Sequence, residues 1–427
     1  MKIKRSKIGY RYFLGRFDIW CALLFSTAGR LPFYLINLSI VLIVQEHGGT
    51  AAASGMALAS YATGTGLVGP FIARRVDIFG QCAVLRFSAS LQLIAFALLL
   101  WPPIPFSSAA PLFCFFAGAF LPPITISMRQ IWISLSPAEV ERRVAFSIEA
   151  VLAEVFTIGG PLLLSILLAL SDPRGALIGG ALMSFVGAWG LSFTSVCVQA
   201  SQPLNSDPSH SGSTFEPLRF KGFRSLFLRR SLAACSMGAY FVVLPMVSLD
   251  SDQGSLVGVY FAALGLGSVV GGIIFGAIDW QERTEILYAR SLLVAAATSF
   301  LPVFATTDRQ MIAALFVSGF ALAPAAAAEF VLIERVTPDR YRARGISLMI
   351  TSFVAGTATG AQIGGILVDF VGVFGTFLMT AAMSLVSALF AFRLLEVWRE
   401  SAIESSNRAG RPGSKHGADG VNPGSSC

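Results

Sequence analysis

Twelve apolar stretches separated by polar loops run along this chain, near 19–44, 51–74, 81–101, 108–134, 143–170, 174–198, 231–249, 254–278, 284–305, 308–334, 342–370 and 373–395. Each is close to the roughly 20 residues that a helix needs to cross hydrocarbon. Hydrocarbon offers the backbone no hydrogen-bond partner, so a lipid-exposed segment must satisfy its own N–H and C=O groups as a helix. The pattern predicts an all-α polytopic membrane protein with twelve transmembrane helices.

The loops carry charge on alternate sides. If both termini and every second loop are placed on one side, 27 of the 31 Lys and Arg residues fall there. Only Arg174 and Arg309 fall on the other, while Arg30 and Arg129 lie within spans. Positive loops stay in the cytoplasm, so the expected orientation is multi-pass in the cytoplasmic (inner) membrane with both termini inside. An error in one span would have broken this alternation.

Composition supports the same class, with 55% hydrophobic and 13% charged residues. A soluble domain carries about a quarter charged residues. The net charge of +7 is spread over short loops, which argues against a nucleic-acid partner because no continuous basic face forms. The basic N-terminus MKIKRSK precedes an apolar run too long for a signal's core and without a convincing cleavage site, and is expected to be retained before a first helix. The six cysteines stand alone without a CxxC pair, and His47, His210 and His416 fall in loops or the tail. That predicts neither a metal nor a disulfide framework. No Walker loop or HExxH is present, so neither ATP nor another cofactor is expected, and the chain is not expected to be an enzyme.

The chain is also a duplication. A Ser-, Pro- and Gly-rich segment, SQPLNSDPSHSGST (201–214), reads as a flexible linker between two sets of six helices. At an offset of 201, Gly118, Leu121, Pro123, Pro137 and Arg143 fall on Gly319, Leu322, Pro324, Pro338 and Arg344. At 202, Gly69 and Asp77 fall on Gly271 and Asp279. The expected organisation is a cytoplasmic N-terminus (1–17), an N-terminal bundle (18–198), a cytoplasmic linker (199–229), a C-terminal bundle (230–395) and a disordered cytoplasmic tail (396–427). Repeats of equal orientation place a binding site between the halves near the midplane.

Twelve spans in two like halves, a long central loop, and GPFIARRVDIFGQCAVLR between spans two and three resemble the major facilitator superfamily of secondary transporters. The resemblance covers about residues 10–395; GRLP, YATGTGLVGPFIARRVD and SPAEVERRVAFSIEAVLAE are similar to segments of actinobacterial members. It implies the twelve-helix fold of two pseudo-symmetric six-helix bundles. Of the superfamily's loop signature, Asp77 and Gly80 hold their places, Ala73 replaces the first glycine, and Ile78, Gln81 and Cys82 stand where basic residues are usual. A gating loop of Asp77, Gly80, Arg86 and Arg344 is expected. Asp77 ends span two, where a carboxylate is attracted to a neighbouring helix N-terminus, and the family geometry brings Arg342 and Arg344 near it. Such a contact would stabilise the outward-open state; the alternative is that Asp77 only balances Arg74 and Arg75. Gly159-Gly160-Pro161 resembles part of the superfamily's antiporter signature, though Phe156, Leu164 and Ser165 replace its flanking glycines.

Five charges within spans stand out: Arg30, Arg129, Glu149, Glu154 and Glu329. Each costs at least about 2.5–3.5 kcal/mol at a helix centre and should face the interior or water. Arg129 and Glu149 are each ten residues from the turn joining spans four and five, which predicts an ion pair at equal depth, either structural or part of gating. Glu154 lies five residues on, roughly 140° round the helix. Arg30 belongs to a polar stripe with Ser26, Tyr34 and Asn37. It either alternates between Glu154 and an anionic substrate group or is paired permanently with Glu154. Glu329 is expected to pair with Arg335 or Arg344. Pro32, Pro122, Pro123, Pro161, Pro245 and Pro324 remove backbone donors and allow bends.

The expected function is a secondary active transporter of a small molecule by alternating access, proton-coupled through Glu154 or Glu149, leaning to export, and monomeric. Its substrate and coupling candidates are Arg30, Tyr34, Asn37, Arg129, Glu149 and Glu154. The alternative is a non-transporting membrane ligand sensor or assembly factor on the same fold. The orientation is testable in a Cys-free background. Cysteines at Ser209 and Ser414 should resist an impermeant thiol reagent in intact cells, whereas one at Thr307 should react. Labelling at Ser209 from outside contradicts the charge count.

Overall fold

Apolar runs with proline punctuation become helices broken where proline removes a donor. The computed structural model of the chain describes residues 16–101, 106–135, 139–201, 216–250, 256–338 and 341–409. Among these every regular element is helical. Nine helices among the described residues are long and apolar enough to cross a membrane. One, Arg344–Arg393, holds two of the expected spans, separated at Gly372, where φ is 73°. A Cβ would be strained there. Helices over Ala51–Phe79 and Glu139–Leu170 also have the length of a span, and Ile158–Leu170 is an apolar stretch of the second.

The legs are α1 (Phe17–Arg30 and Pro32–Glu46), α2 (Ala51–Phe79), α3 (Gln81–Leu99), α4 (Phe106–Ala119 and Ile124–Leu135), α5 (Glu139–Leu170) and α6 (Pro173–Phe193). They continue as α7 (Lys221–Asp250), α8 (Leu256–Ala277), α9 (Thr284–Thr298), α10 (Asp308–Gly319 and Leu322–Val336), then α11 and α12, the parts of Arg342–Arg393 before and after Gly372. The break in α4 falls at Pro122 and Pro123. In α1 the second segment starts on Pro32, and Pro161 and Pro245 lie inside continuous helices.

Legs α1 to α6 pack mainly with one another, as do α7 to α12. Between the halves α2 packs on α11, α5 on α8 and α1 on α7. The end of the bundle that carries the connection between α6 and α7 is the linker face; the opposite end is the far face. Apolar side chains cover much of the outside, including Phe71 at 63% and Ile273 at 67% exposure. A soluble surface would not display apolar area on this scale.

The cores show how the halves meet. Toward the far face a single apolar cluster draws on both halves, from Leu35, Tyr61 and Leu164 to Phe241, Phe261 and Ala361. Toward the linker face there are two clusters, one around Leu85, Met128 and Trp132, the other around Phe223, Tyr288 and Leu332. Neither contains a residue of the other half.

Two expectations change here. The seventh span was expected from residue 231, but α7 begins at Lys221 and buries Arg229, so a charge assigned to a loop lies within the fold. The tail was expected to be disordered from 396, yet Leu395–Ala409 is a helix. Trp398 anchors it, fully buried, with Nε1 donating to Ser225 Oγ at 2.7 Å. The linker segment 202–214 and the tail beyond Ala409 lie outside the described residues.

Candidate functional site: a two-lobed cavity between the halves

The cavity lies where the shared core divides. Its N-terminal lobe, about 430 Å³, takes Arg30, Tyr34 and Asn37 from α1, Tyr61 and Thr65 from α2, Thr125 from α4 and Phe156 from α5. The other half closes it with Phe241 of α7 and Phe353 and Thr357 of α11. The α1 stripe therefore lines a cavity. Ser26, fully buried, accepts from Arg30 Nη2 at 3.2 Å. Gly160 explains part of the Gly-Gly-Pro segment: a Cβ there would sit 2.8 Å from Leu31 O and 3.2 Å from Tyr34 Cβ, so glycine lets α5 seat against α1.

Arg30 sits in a complete set of contacts. Nη1 donates to Glu149 Oε2 at 2.6 Å, Nε donates to Ser26 O at 3.3 Å, and the guanidinium lies 4.8 Å from the Phe156 ring centre. Trp132 Nε1 donates to Glu149 Oε1 at 2.7 Å. This corrects two sequence expectations. Glu149 pairs with Arg30, not with Arg129, and Arg30, expected on Glu154, has Glu149 as its carboxylate among the described residues. Arg129 is exposed and has no ion-pair partner among the described residues. Trp132, one turn from Arg129, reaches Glu149 in its place. Depth does not fix the direction round the helix, and Trp132 faces inward where Arg129 does not. The Glu154 side chain lies outside the described residues.

A second lobe of about 400 Å³ shares Tyr34 and Phe353 with the first and runs into the C-terminal half. Arg229 and Arg230 of α7 both donate to Glu329 of α10, and Tyr288 of α9 donates its hydroxyl to Glu329 Oε1 at 2.6 Å. Arg229 lies 4.7 Å from the Tyr288 ring centre and Arg230 5.1 Å from that of Phe353. Trp398 of the tail helix packs behind Tyr288, their rings 5.5 Å apart. Glu329 was expected on Arg335 or Arg344. Instead Arg335 is 3.7 Å from Glu285 and Arg344 is 2.8 Å from Glu216. The sequence reading passed over Arg229 and Arg230 because a dibasic pair before an apolar run looks like a loop. An offset of 200, one less than the best proline register, places Arg230 on Arg30 and would have flagged it.

At the far face α2 and α11 form a seam. Ala51 N and Ala52 N donate to the two carboxylate oxygens of Asp369 at 3.0 and 2.9 Å, and Ala53 N donates to Thr50 Oγ1. A helix N-terminus leaves its first N–H groups unsatisfied and attracts an anion; here a carboxylate from the other half answers two of them. Below it a Cβ at Gly55 would meet Ala361 O at 2.4 Å, and one at Gly365 would meet Ala51 O at 2.3 Å. Nearer the linker face the helices part: a Cβ at Gly66 would touch only the Val354 side chain, and one at Gly69 would meet nothing within 4 Å.

The expected gating loop is partly accounted for. Gly80 makes the turn after α2 with φ 77°. Arg86 donates to Cys82 O and lies 5.3 Å from the Phe193 ring centre. Arg344 is engaged by Glu216, and the Asp77 side chain lies outside the described residues. Cys82 and Cys197 do not stand alone, their Sγ atoms being 3.3 Å apart.

These contacts rank the charges. Glu149→Ala leaves Arg30 without its counter-charge and should destabilise the protein by about 3–5 kcal/mol, while Arg30→Ala with Glu149→Ala should recover most of the loss. Arg129→Ala should stay within about 0.5 kcal/mol of the parent or exceed it. Thermal unfolding of the purified protein measures all three. An Arg129→Ala loss equal to that of Glu149→Ala contradicts the pairing.

Comparison with known proteins gives the fold its place. No curated protein matches the sequence. Among solved structures, a bacterial homologue of the human lysosomal transporter Spinster, inward-facing and occupied, superposes with TM-score 0.70 at 13% identity, covering 90% of this chain and 97% of that one. A mutant of the nucleoside transporter NupG gives 0.71 at 13%, over 88% and 99%. A POT family transporter in complex with 5-aminolevulinic acid gives 0.71 at 14%, over 89% and 96%. At such identities the likeness shows the fold. The profile of the Major Facilitator Superfamily matches residues 20–286 and 226–418, and the chain belongs to that superfamily.

Proposed function

We propose that this membrane transporter works by alternating access in the cytoplasmic membrane, with both termini and the linker face inside, and that it exports its substrate against protons. The observation that carries the reading is the division of one shared core at the far face into two at the linker face, around a cavity lined by charged groups. In this arrangement the cavity is closed outside and parted inside. Rocking the halves about the cavity would part the far-face seam and bring Asp77 toward the start of α11. One helix pair, α2 with α11, would then carry a carboxylate against a helix N-terminus at each end in turn.

The strength of the seam suits a contact that must break. Asp369 is exposed, so its two hydrogen bonds together contribute only about 1 kcal/mol, well below the value of buried charge-assisted bonds. Export and antiport rest on the Gly159-Gly160-Pro161 resemblance. In that scheme Glu154 carries the proton on the return leg, while Glu149 stays held by Arg30 and Trp132.

Thr357→Cys in a Cys-free background reads the cycle without a known substrate. In oriented vesicles an impermeant maleimide should label it from the linker face in the parent. Adding Asp369→Asn should raise labelling from the far face about five-fold, the factor set by about 1 kcal/mol. Glu154→Gln should remove the pH dependence of that exposure. Labelling from one face only, unchanged by Asp369→Asn, supports the sensor alternative instead.

A further inference from the structure

Among its described residues the C-terminal lobe holds more positive charge than it neutralises. Among the described residues lining it, the ionised groups are Arg229, Arg230 and Glu329. Two guanidiniums share a single carboxylate, whose oxygens are already occupied by both arginines and Tyr288. Arg229 is 2% exposed, and the Nε atoms of both arginines are buried without a hydrogen-bond partner. The Arg230 side chain is 32% exposed, so it is the one that reaches open space. The N-terminal lobe differs, because its Arg30 is answered one-to-one by Glu149.

A surplus charge inside the membrane costs at least about 2.5–3.5 kcal/mol at a helix centre unless something answers it. The Arg230 guanidinium, a planar fork of donors partly open to the cavity, suits a ligand with paired acceptor oxygens, the geometry that carboxylate provides. One surplus positive charge matches a monoanion; an ammonium would be repelled. Beyond Tyr34 and Phe353 the cavity continues between Phe156 and Phe241, where an apolar or aromatic body has planar walls to lie against. The lobes, at about 430 and 400 Å³, are within the roughly 300–1,000 Å³ of small-molecule sites.

We infer that the transported substrate is an amphipathic organic monocarboxylate. Its carboxylate docks on Arg230 with Arg229 behind it, and its apolar body extends past Phe353 into the N-terminal lobe. This deepens the transporter reading and rests on it. Outward movement of such an anion is electrically downhill in a cell with a negative interior, consistent with export.

Four probes sharing a naphthyl body test the inference: naphthylacetate, naphthylacetamide, naphthylethylamine and naphthyl phosphate, titrated calorimetrically into the full-length protein in nanodiscs. The acid should bind at least about ten-fold more tightly than the amide or the amine, the factor that 1.4 kcal/mol sets. Arg230→Gln should abolish that preference and Arg230→Lys should keep part of it. If Arg230→Gln does not fold, the acid, amide and amine ranking on the parent decides alone. Equal binding of the amide or amine, tighter binding of naphthyl phosphate, preference unchanged in Arg230→Gln, or no binding of the acid at millimolar concentration each overturns the inference. Thiol labelling of Thr357→Cys separates the two readings. Exposure to both faces without acid preference sinks the substrate class alone, whereas acid preference with exposure to one face leaves a ligand-binding protein that does not transport.

Discussion

Among the described residues the two halves share one apolar core at the far face and none at the linker face. That asymmetry determines where the cavity lies, which end of it is sealed and which helices can part. It follows from small residues along α2 and α11. Gly55 and Gly365 let the backbones approach within the reach of a single Cβ, and the paired N–H groups of Ala51 and Ala52 draw Asp369 across the seam. In hydrocarbon, where apolar side chains gain nothing from leaving water, close approach of this kind is what holds helices together. The contact is strong enough to favour one arrangement and weak enough to be lost within a cycle.

Charge placement obeys a second constraint. A guanidinium in a membrane interior needs a carboxylate, and the two halves meet that need differently. Arg30 has Glu149, with Trp132 donating to its second carboxylate oxygen, so the N-terminal wall is neutral among its described groups. Arg229 and Arg230 divide Glu329 between them, and Tyr288, braced by Trp398, holds the third contact. One half thus presents a balanced pair and the other a positive surface, joined through Tyr34 and Phe353. The tail helix matters because Trp398 supports the residue that orients this cluster.

The all-helical fold, the family and the polar stripe on α1 were legible from the sequence because each depends on a linear property: segment length, repeat offset or helical spacing. What escaped was direction and partnership. Residue counting from a turn put Arg129 and Glu149 at one depth, but a difference of about 60° round the helix gives the contact to Trp132, three residues on. Arg229 and Arg230 read as loop charges because hydropathy falls there even though α7 runs on through them. Cys82 and Cys197, far apart in the chain, meet only through packing of α3 against the end of the N-terminal half. Asp369 drew no notice because an acidic residue at a span end is unremarkable until the helix N-terminus opposite is known.

The claim that these halves rock about the cavity is tested most directly by paired distances in nanodiscs. Spin labels at Ser171 and Thr306 report on the far face, and labels at Phe79 and Gln281 on the linker face, all exposed positions. Pulsed dipolar spectroscopy should give a dominant population with the far-face pair close and the linker-face pair apart, and a second in which the two are reversed, their proportions changing together as pH changes. A single unchanging distance at both pairs, from acidic to alkaline buffer, would contradict alternating access.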